Sequence, residues 1–222
     1  PSRYAGDKGT ENKWLAWPVL MWTELAIFLG VLAVVLLVAI FADAPLLEQA
    51  NPAHPENPAK SPWYFLGIQE LVSYSAFAGG LLIPVLYLAF LVSLPYTDRE
   101  DVHVGNWFSG KEGLKLVLWS AAGSFLLVVL QLFVMIRFGW LRDWIPGISQ
   151  WFVMLINPAT ITGALFILAA EVIRRKKKST RMAALVLFTC SFVALVIFTV
   201  VGIFFRGPNW EFFWSASQWP VL

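Results

Sequence analysis

Stretches without Asp, Glu, Lys or Arg dominate this chain and cover residues 25–42, 71–97, 116–136, 144–170 and 182–205. A helix that crosses a bilayer needs about 20 mostly apolar residues, so the pattern predicts five transmembrane helices in an all-α integral membrane bundle. The first span extends back through residues 14–20, with only Glu24 intervening, and the leading part of the fourth, which holds Pro146 and Asn157, reads as an interfacial approach. Between the first two spans, residues 44–62 carry Pro45, Pro52, Pro55, Pro58 and Pro62. That density stops a helix and favours a stiff extended path. Ser61 suits an N-cap and Pro62 the first helical position, which predicts a short interfacial helix leading into the second span. Two regions follow: residues 1–115, with two spans and this loop, and residues 116–222, with three further transmembrane helices and a tail.

Charge adds orientation. The segment between the fourth and fifth spans contains Arg174, Arg175, Lys176, Lys177, Lys178 and Arg181. A short loop this basic is retained in the cytoplasm. The N-terminus and the loop between spans two and three then share that side, which holds twelve of the sixteen Lys and Arg residues. The N-terminus is thus expected in the cytoplasm, and the Pro-rich loop and C-terminus outside. Trp14, Trp17, Trp140, Trp144, Trp151, Trp210, Trp214 and Trp219 cluster near the span ends, where amphipathic rings favour the headgroup level. No signal-peptide cleavage pattern is evident, and the chain opens on Pro1 rather than Met, as a processed or longer protein does.

Composition then narrows the class. Hydrophobic residues make up 59% of the 222 residues and charged ones 14%, against about 25% charged in soluble domains, which excludes an ordinary soluble enzyme. The apolar mass excludes disorder. A net charge of +2 gives no electrostatic footprint for nucleic acid. Cys190 stands alone, and the only histidines, His54 and His103, fall in loops, so no metal site and no bis-histidine haem at bilayer depth is expected.

Candidate chemistry concentrates after the Pro-rich loop, where Trp63, Tyr64 and Phe65 open the short helix and Glu70 follows. Residues seven apart on a helix differ by roughly 20°, which puts Trp63 and Glu70 on one face and turns Tyr64 elsewhere. A carboxylate at the edge of an apolar run is a candidate proton acceptor; capping, ion pairing or contact with headgroups is the competing reading. Glu24 and Gln131 read as structural polar groups, Ala76, Ala78, Gly79 and Gly80 as a close-packing face, and Pro84 as a kink. The basic run 174–181 reads as a topology determinant that also touches anionic headgroups.

The order of a first span, a Pro-rich outer loop, Pro62-Trp63-Tyr64-Phe65 opening a helix, and a second span with Pro84 ending in Leu94-Pro95-Tyr96 resembles the C-terminal half of cytochrome b, the subunit IV of split complexes. The ending Phe205-Arg206-Gly207-Pro208-Asn209-Trp210-Glu211-Phe212-Phe213 is similar to extended bacterial versions. The resemblance covers roughly residues 14–115 and extends into the third span. It implies a haem-free subunit of a quinol:cytochrome c oxidoreductase in a bacterial inner membrane, with menaquinol or ubiquinol bound at a site that Pro62, Trp63, Tyr64 and Phe65 help to line. It also implies partners: a haem-bearing N-terminal cytochrome b subunit holding the b haems, a Rieske iron–sulfur protein, and cytochrome c, in a dimeric complex. Ser61 and Pro62 stand where the family has Pro and Glu, so the family's proton acceptor is missing there, and Glu70, the nearest downstream carboxylate, is expected to take the role; Glu56 is the nearest upstream. A membrane anchor of another quinone-linked assembly, or less favourably a transporter subunit, are the rival readings.

Overall fold

The computed structural model describes residues 16–42, 49, 51–53, 55–100 and 107–220. Within them the protein is helical throughout, with one isolated β-bridge between Arg206 and Phe212. The chain divides into two units, residues 1–53 and 54–222.

The first unit holds α1 (Met21–Phe41), preceded by a π-helical turn over Ala16–Leu20. None of its residues is buried, and apolar side chains point in every direction. A helix apolar all round needs an apolar environment on every side, as lipid or protein provides. Glu24 lies in its first turn, where the helix dipole favours an anion.

In the second unit α2 (Trp63–Tyr74) is followed, after a break, by α3 (Ile83–Thr97). The unbroken span expected over 71–97 is therefore corrected: Leu71 to Tyr74 belong to α2, and the apolar crossing helix starts at Ala78. The break is built by Ser75, whose backbone is extended and whose Oγ accepts the Ala78 N–H at 3.2 Å. Gly79 completes it, because a Cβ there would lie 2.2 Å from the Leu71 carbonyl, so only glycine lets the two helices approach. Pro84 sits in the first turn of α3, just after a π-helical turn over Ala78–Leu82. Lacking an N–H and crowding the carbonyl four residues back, it is a sufficient cause for that irregularity.

Helix α4 (Lys111–Phe138) is longer than the apolar run that predicts it. The fourth run breaks at Asn157, within the leading part already set apart by Pro146 and Asn157, and its helix extends past the expected end at Ala170 to Lys177. The short helix α5 (Leu141–Trp144) precedes this run, α6 (Gln150–Leu155) occupies its leading part, and α7 (Pro158–Lys177) begins only after them. Asn157 caps α7, its Oδ1 accepting the Thr160 N–H at 3.0 Å, and Pro158 takes the first helical position. The last turn of α7 contains Arg174, Arg175, Lys176 and Lys177. Lys178 in the left-handed region and Ser179 as N-cap, its Oγ accepting the Met182 N–H at 3.1 Å, then reverse the chain into α8 (Thr180–Phe204). Among the described residues four helices have the length and apolarity to cross a membrane: Trp17–Phe41, Ala78–Thr97, Lys111–Phe138 and Thr180–Phe204.

The core is a seam along α8. Val186, Cys190, Ala194, Phe198 and Val201 recur at three- and four-residue spacing and meet Val128 and Leu132 of α4 and Phe166 of α7. Ser124 Oγ donates to the Cys190 carbonyl at 2.9 Å and Cys190 Sγ contacts the Ser120 carbonyl at 3.7 Å, while earlier in both helices a Cβ on Gly113 would lie 3.4 Å from Leu185 Cδ1, so α4 and α8 run side by side in the same direction. Gln131 and Thr162 hydrogen-bond between α4 and α7, the structural role expected of Gln131.

Candidate functional site

Helix α2 reaches its position through its approach strand. The Gln69 side chain brackets that strand, its Oε1 accepting the Ser61 N–H and its Nε2 donating to the Ala59 carbonyl, both at 2.8 Å. Lys60 Nζ donates to the Ile203 carbonyl at 2.9 Å and so caps the C-terminal end of α8. Partial burial lowers the pKa of that lysine. Asn57 and Asn209 exchange two hydrogen bonds, Asn57 Nδ2 to Asn209 Oδ1 at 2.9 Å and Asn209 N–H to Asn57 Oδ1 at 2.7 Å. The expected cap shifts by one residue: Pro62 occupies the N-cap, Trp63 is the first helical residue, and the Ser61 hydroxyl is buried without a hydrogen-bond partner.

Two faces of α2 then separate. Leu66 and Gly67 are buried against α8: a Cβ on Gly67 would lie 2.6 Å from Leu195 Cδ1, and one on Gly202 would lie 3.2 Å from Leu66 Cδ2. Trp63, Tyr64 and Phe65 face away and are 69%, 57% and 52% exposed. They nonetheless form an ordered aromatic edge. Trp63 meets Tyr64 edge-on with centroids 5.6 Å apart, and Tyr64 meets Phe65 at 5.0 Å. The expectation that Trp63 and Glu70 share a face fails in environment, since Glu70 is fully buried. The elements that cover α2 reach Leu66, Gly67 and Glu70 but leave Trp63 open.

Glu70 is the largest fully buried side chain of the described residues. Its Oε1 accepts the Tyr74 hydroxyl at 2.6 Å, its Oε2 accepts Trp210 Nε1 at 2.8 Å and Arg206 Nε at 3.0 Å, and Arg206 Nη2 closes the ion pair. Every partner is a donor, the set that an acceptor-only carboxylate satisfies. Arg206 in turn donates through Nη1 to the Trp210 carbonyl at 2.8 Å. Burial works against the Arg206 charge, and Glu70 more than offsets it, so the guanidinium pKa is raised. The tail can turn back to supply these groups because Phe213 N–H bonds the Phe205 carbonyl at 2.8 Å and Asn209 and Trp210 adopt left-handed backbone angles.

Sequence reasoning singled out Glu70 but not Arg206, Tyr74 or Trp210. A usable signal existed: a carboxylate among apolar residues needs a cation, and Arg206 ends the last apolar run. Glu56 is exposed. His54 and His103 lie outside the described residues. Among those described, no group of three His, Cys, Asp or Glu side chains is placed to hold a metal.

At the other end of α8 stands a second polar cluster. Arg181 Nε pairs with Asp98 at 2.9 Å, and Ser179 Oγ donates to Glu100 at 2.8 Å. Lys177 pairs with Glu112 at 3.2 Å, while Arg174 and Arg175 bracket Glu171, whose pKa their hydrogen bonds hold down to about 2. Much of the basic run is therefore matched to carboxylates within the protein. The α2 turn and this cluster sit at opposite ends of α8, whose 25 residues span about 37 Å. No protein-family model, no curated protein and no solved structure matches the chain.

Proposed function

We propose that this chain is a haem-free membrane subunit of a quinol:cytochrome c oxidoreductase, resembling the C-terminal half of cytochrome b, and that its α2 edge forms one wall of a quinol-oxidising pocket. One observation carries the reading: Trp63, Tyr64 and Phe65 are held in an ordered, uncovered edge at the end of the bundle opposite the basic cluster. An aromatic edge of this kind on a rigid helix suits a flat quinol ring and the apolar flank of a partner subunit. In this reading the basic end is cytoplasmic, the α2 turn and tail are outside, and the membrane is a bacterial inner membrane. Helix α7 is the fourth of the five spans, antiparallel to α8, with its charged end from Glu171 to Lys177 standing at the cytoplasmic headgroup level. The b haems, the Rieske cluster and cytochrome c belong to partners in a dimeric complex, and the quinol is menaquinol or ubiquinol.

Quinol positioning falls to Tyr64 and Trp63, with Pro62 and Phe65 framing the entrance. Glu70 is the proton acceptor of this reading, one helical turn and more behind that edge. Releasing a lone pair for an incoming proton requires Arg206 or Tyr74 to turn aside. A second reading is favoured by the complete burial of Glu70 and its full set of donors: the carboxylate is an anchor that ties α2 to the tail and moves no proton.

Purification of the complex containing this chain from native membranes tests the main reading. A Rieske protein and a cytochrome b with two b haems are expected in it, and a preparation lacking both would refute the assignment. Within that complex, Tyr64→Ala should raise the KM for quinol several-fold. Glu70→Gln divides the two roles: depressed turnover with an altered pH profile supports proton acceptance, and near-normal turnover with reduced stability supports the anchor.

A further inference from the structure

We propose that the cleft between the C-terminal halves of α4 and α8 is a binding site for one anionic phospholipid, its acyl chains lying in the cleft and its phosphate on Arg137. The inference does not depend on the quinol reading. The cleft is a cavity of about 720 Å³, walled by exposed Phe133, Phe192 and Val196 and floored by the buried Leu132 and Val201. That volume lies within the range of small-molecule sites. Its lining is almost entirely apolar, and Arg137 is the charged residue within it.

Three features set the occupant's chemistry. The length of the cleft follows two crossing helices, so chains aligned with the membrane normal fit it. One end is roofed by the folded-back tail, where Phe205 stacks on Phe212 with centroids 5.5 Å apart and Trp214 meets Phe212 edge-on at 5.2 Å. Trp in such a position marks the headgroup level. At that level Arg137, in the last turn of α4, has no carboxylate partner among the described residues and rests near the Phe138 ring at 5.9 Å. This contrasts with Arg174, Arg175, Lys177, Arg181 and Arg206, each of which is paired within the protein. An apolar helix from a partner would leave the guanidinium unmatched, whereas a phosphate diester would accept from it in bidentate fashion.

The full chain, purified in its native complex and delipidated in mild detergent, would be titrated with phosphatidylglycerol and separately with phosphatidylcholine. Native mass spectrometry would count retained lipid, and thermal unfolding would follow stability. One retained phosphatidylglycerol per chain is expected, with a saturable rise in Tm larger than that given by phosphatidylcholine. Arg137→Gln, an exposed substitution, should lower phosphatidylglycerol affinity about tenfold and equalise the two lipids. Val196→Trp should fill the cleft and abolish retention of both. Equal responses to the two lipids in the unaltered protein would overturn the proposal. So would an unchanged phosphatidylglycerol preference in Arg137→Gln, or displacement of the lipid by a long-chain quinone analogue in preference to phosphatidylglycerol.

Discussion

Replacing Glu70 with Gln probes the joint on which the tail end of the molecule rests. The carboxylate has two acceptor oxygens serving Tyr74, Arg206 and Trp210. An amide offers one oxygen and one donor group, so at least one of these donors then faces another donor. Removing one member of a buried ion pair costs about 3–5 kcal/mol, because the other charge is left uncompensated. The Arg206 side chain retains 12% exposure and can turn partly toward water, which places the expected loss near the lower bound, at about 3 kcal/mol. The double variant Glu70→Gln with Arg206→Met removes both charges while the amide can still accept from the Trp210 N–H and donate to the Tyr74 hydroxyl, so the Trp210 carbonyl is the group that loses its side-chain donor, a cost of roughly 1 kcal/mol. The double variant should therefore be more stable than the single one. Unfolding in mixed detergent micelles, followed by far-ultraviolet circular dichroism as SDS is titrated in, measures both. The reasoning is refuted if Glu70→Gln stays within about 1 kcal/mol of the unaltered protein, or if the double variant is as unstable as the single.

Three further predictions address other joints. Gly67→Ala would gain up to about 1 kcal/mol from helix propensity, but its Cβ meets the Leu195 carbonyl at 2.9 Å as well as Leu195 Cδ1. A net loss of roughly 1–3 kcal/mol in the same titration is expected, and a gain would show that α2 and α8 are not in close contact. Asn157→Ala removes the cap of α7 and should cost about 1 kcal/mol, with Asn157→Asp or Ser recovering most of it. For Glu171, the carboxyl pKa in the folded protein, about 2, lies below its ordinary 4.5, so its support of the last turn of α7 is present above pH 4.5 and is lost as pH falls toward 2. Helicity should show a salt-sensitive decrease over that interval that is missing in Glu171→Gln.

The membrane character of this protein was settled by the sequence alone, because neither residues 25–42 nor residues 182–205 carry a charged side chain to show to water. The start of α2 was legible to within one residue, since Pro62 admits only a turn or the first position of a helix. The break at Ser75 was not, because Leu71 to Thr97 is free of charge throughout and the break depends on a hydroxyl cap and on a glycine meeting a carbonyl eight residues back. The split of the expected fourth span was legible only as Pro146 and Asn157, whose roles follow from the cap geometry at α7. Glu70 stood out as a lone carboxylate, yet its environment is made by Arg206 and Trp210, 136 and 140 residues away. Local pattern fixes which segments must leave water. Which charges meet inside depends on how the tail folds back over α8, and that is decided by packing between residues remote in the chain.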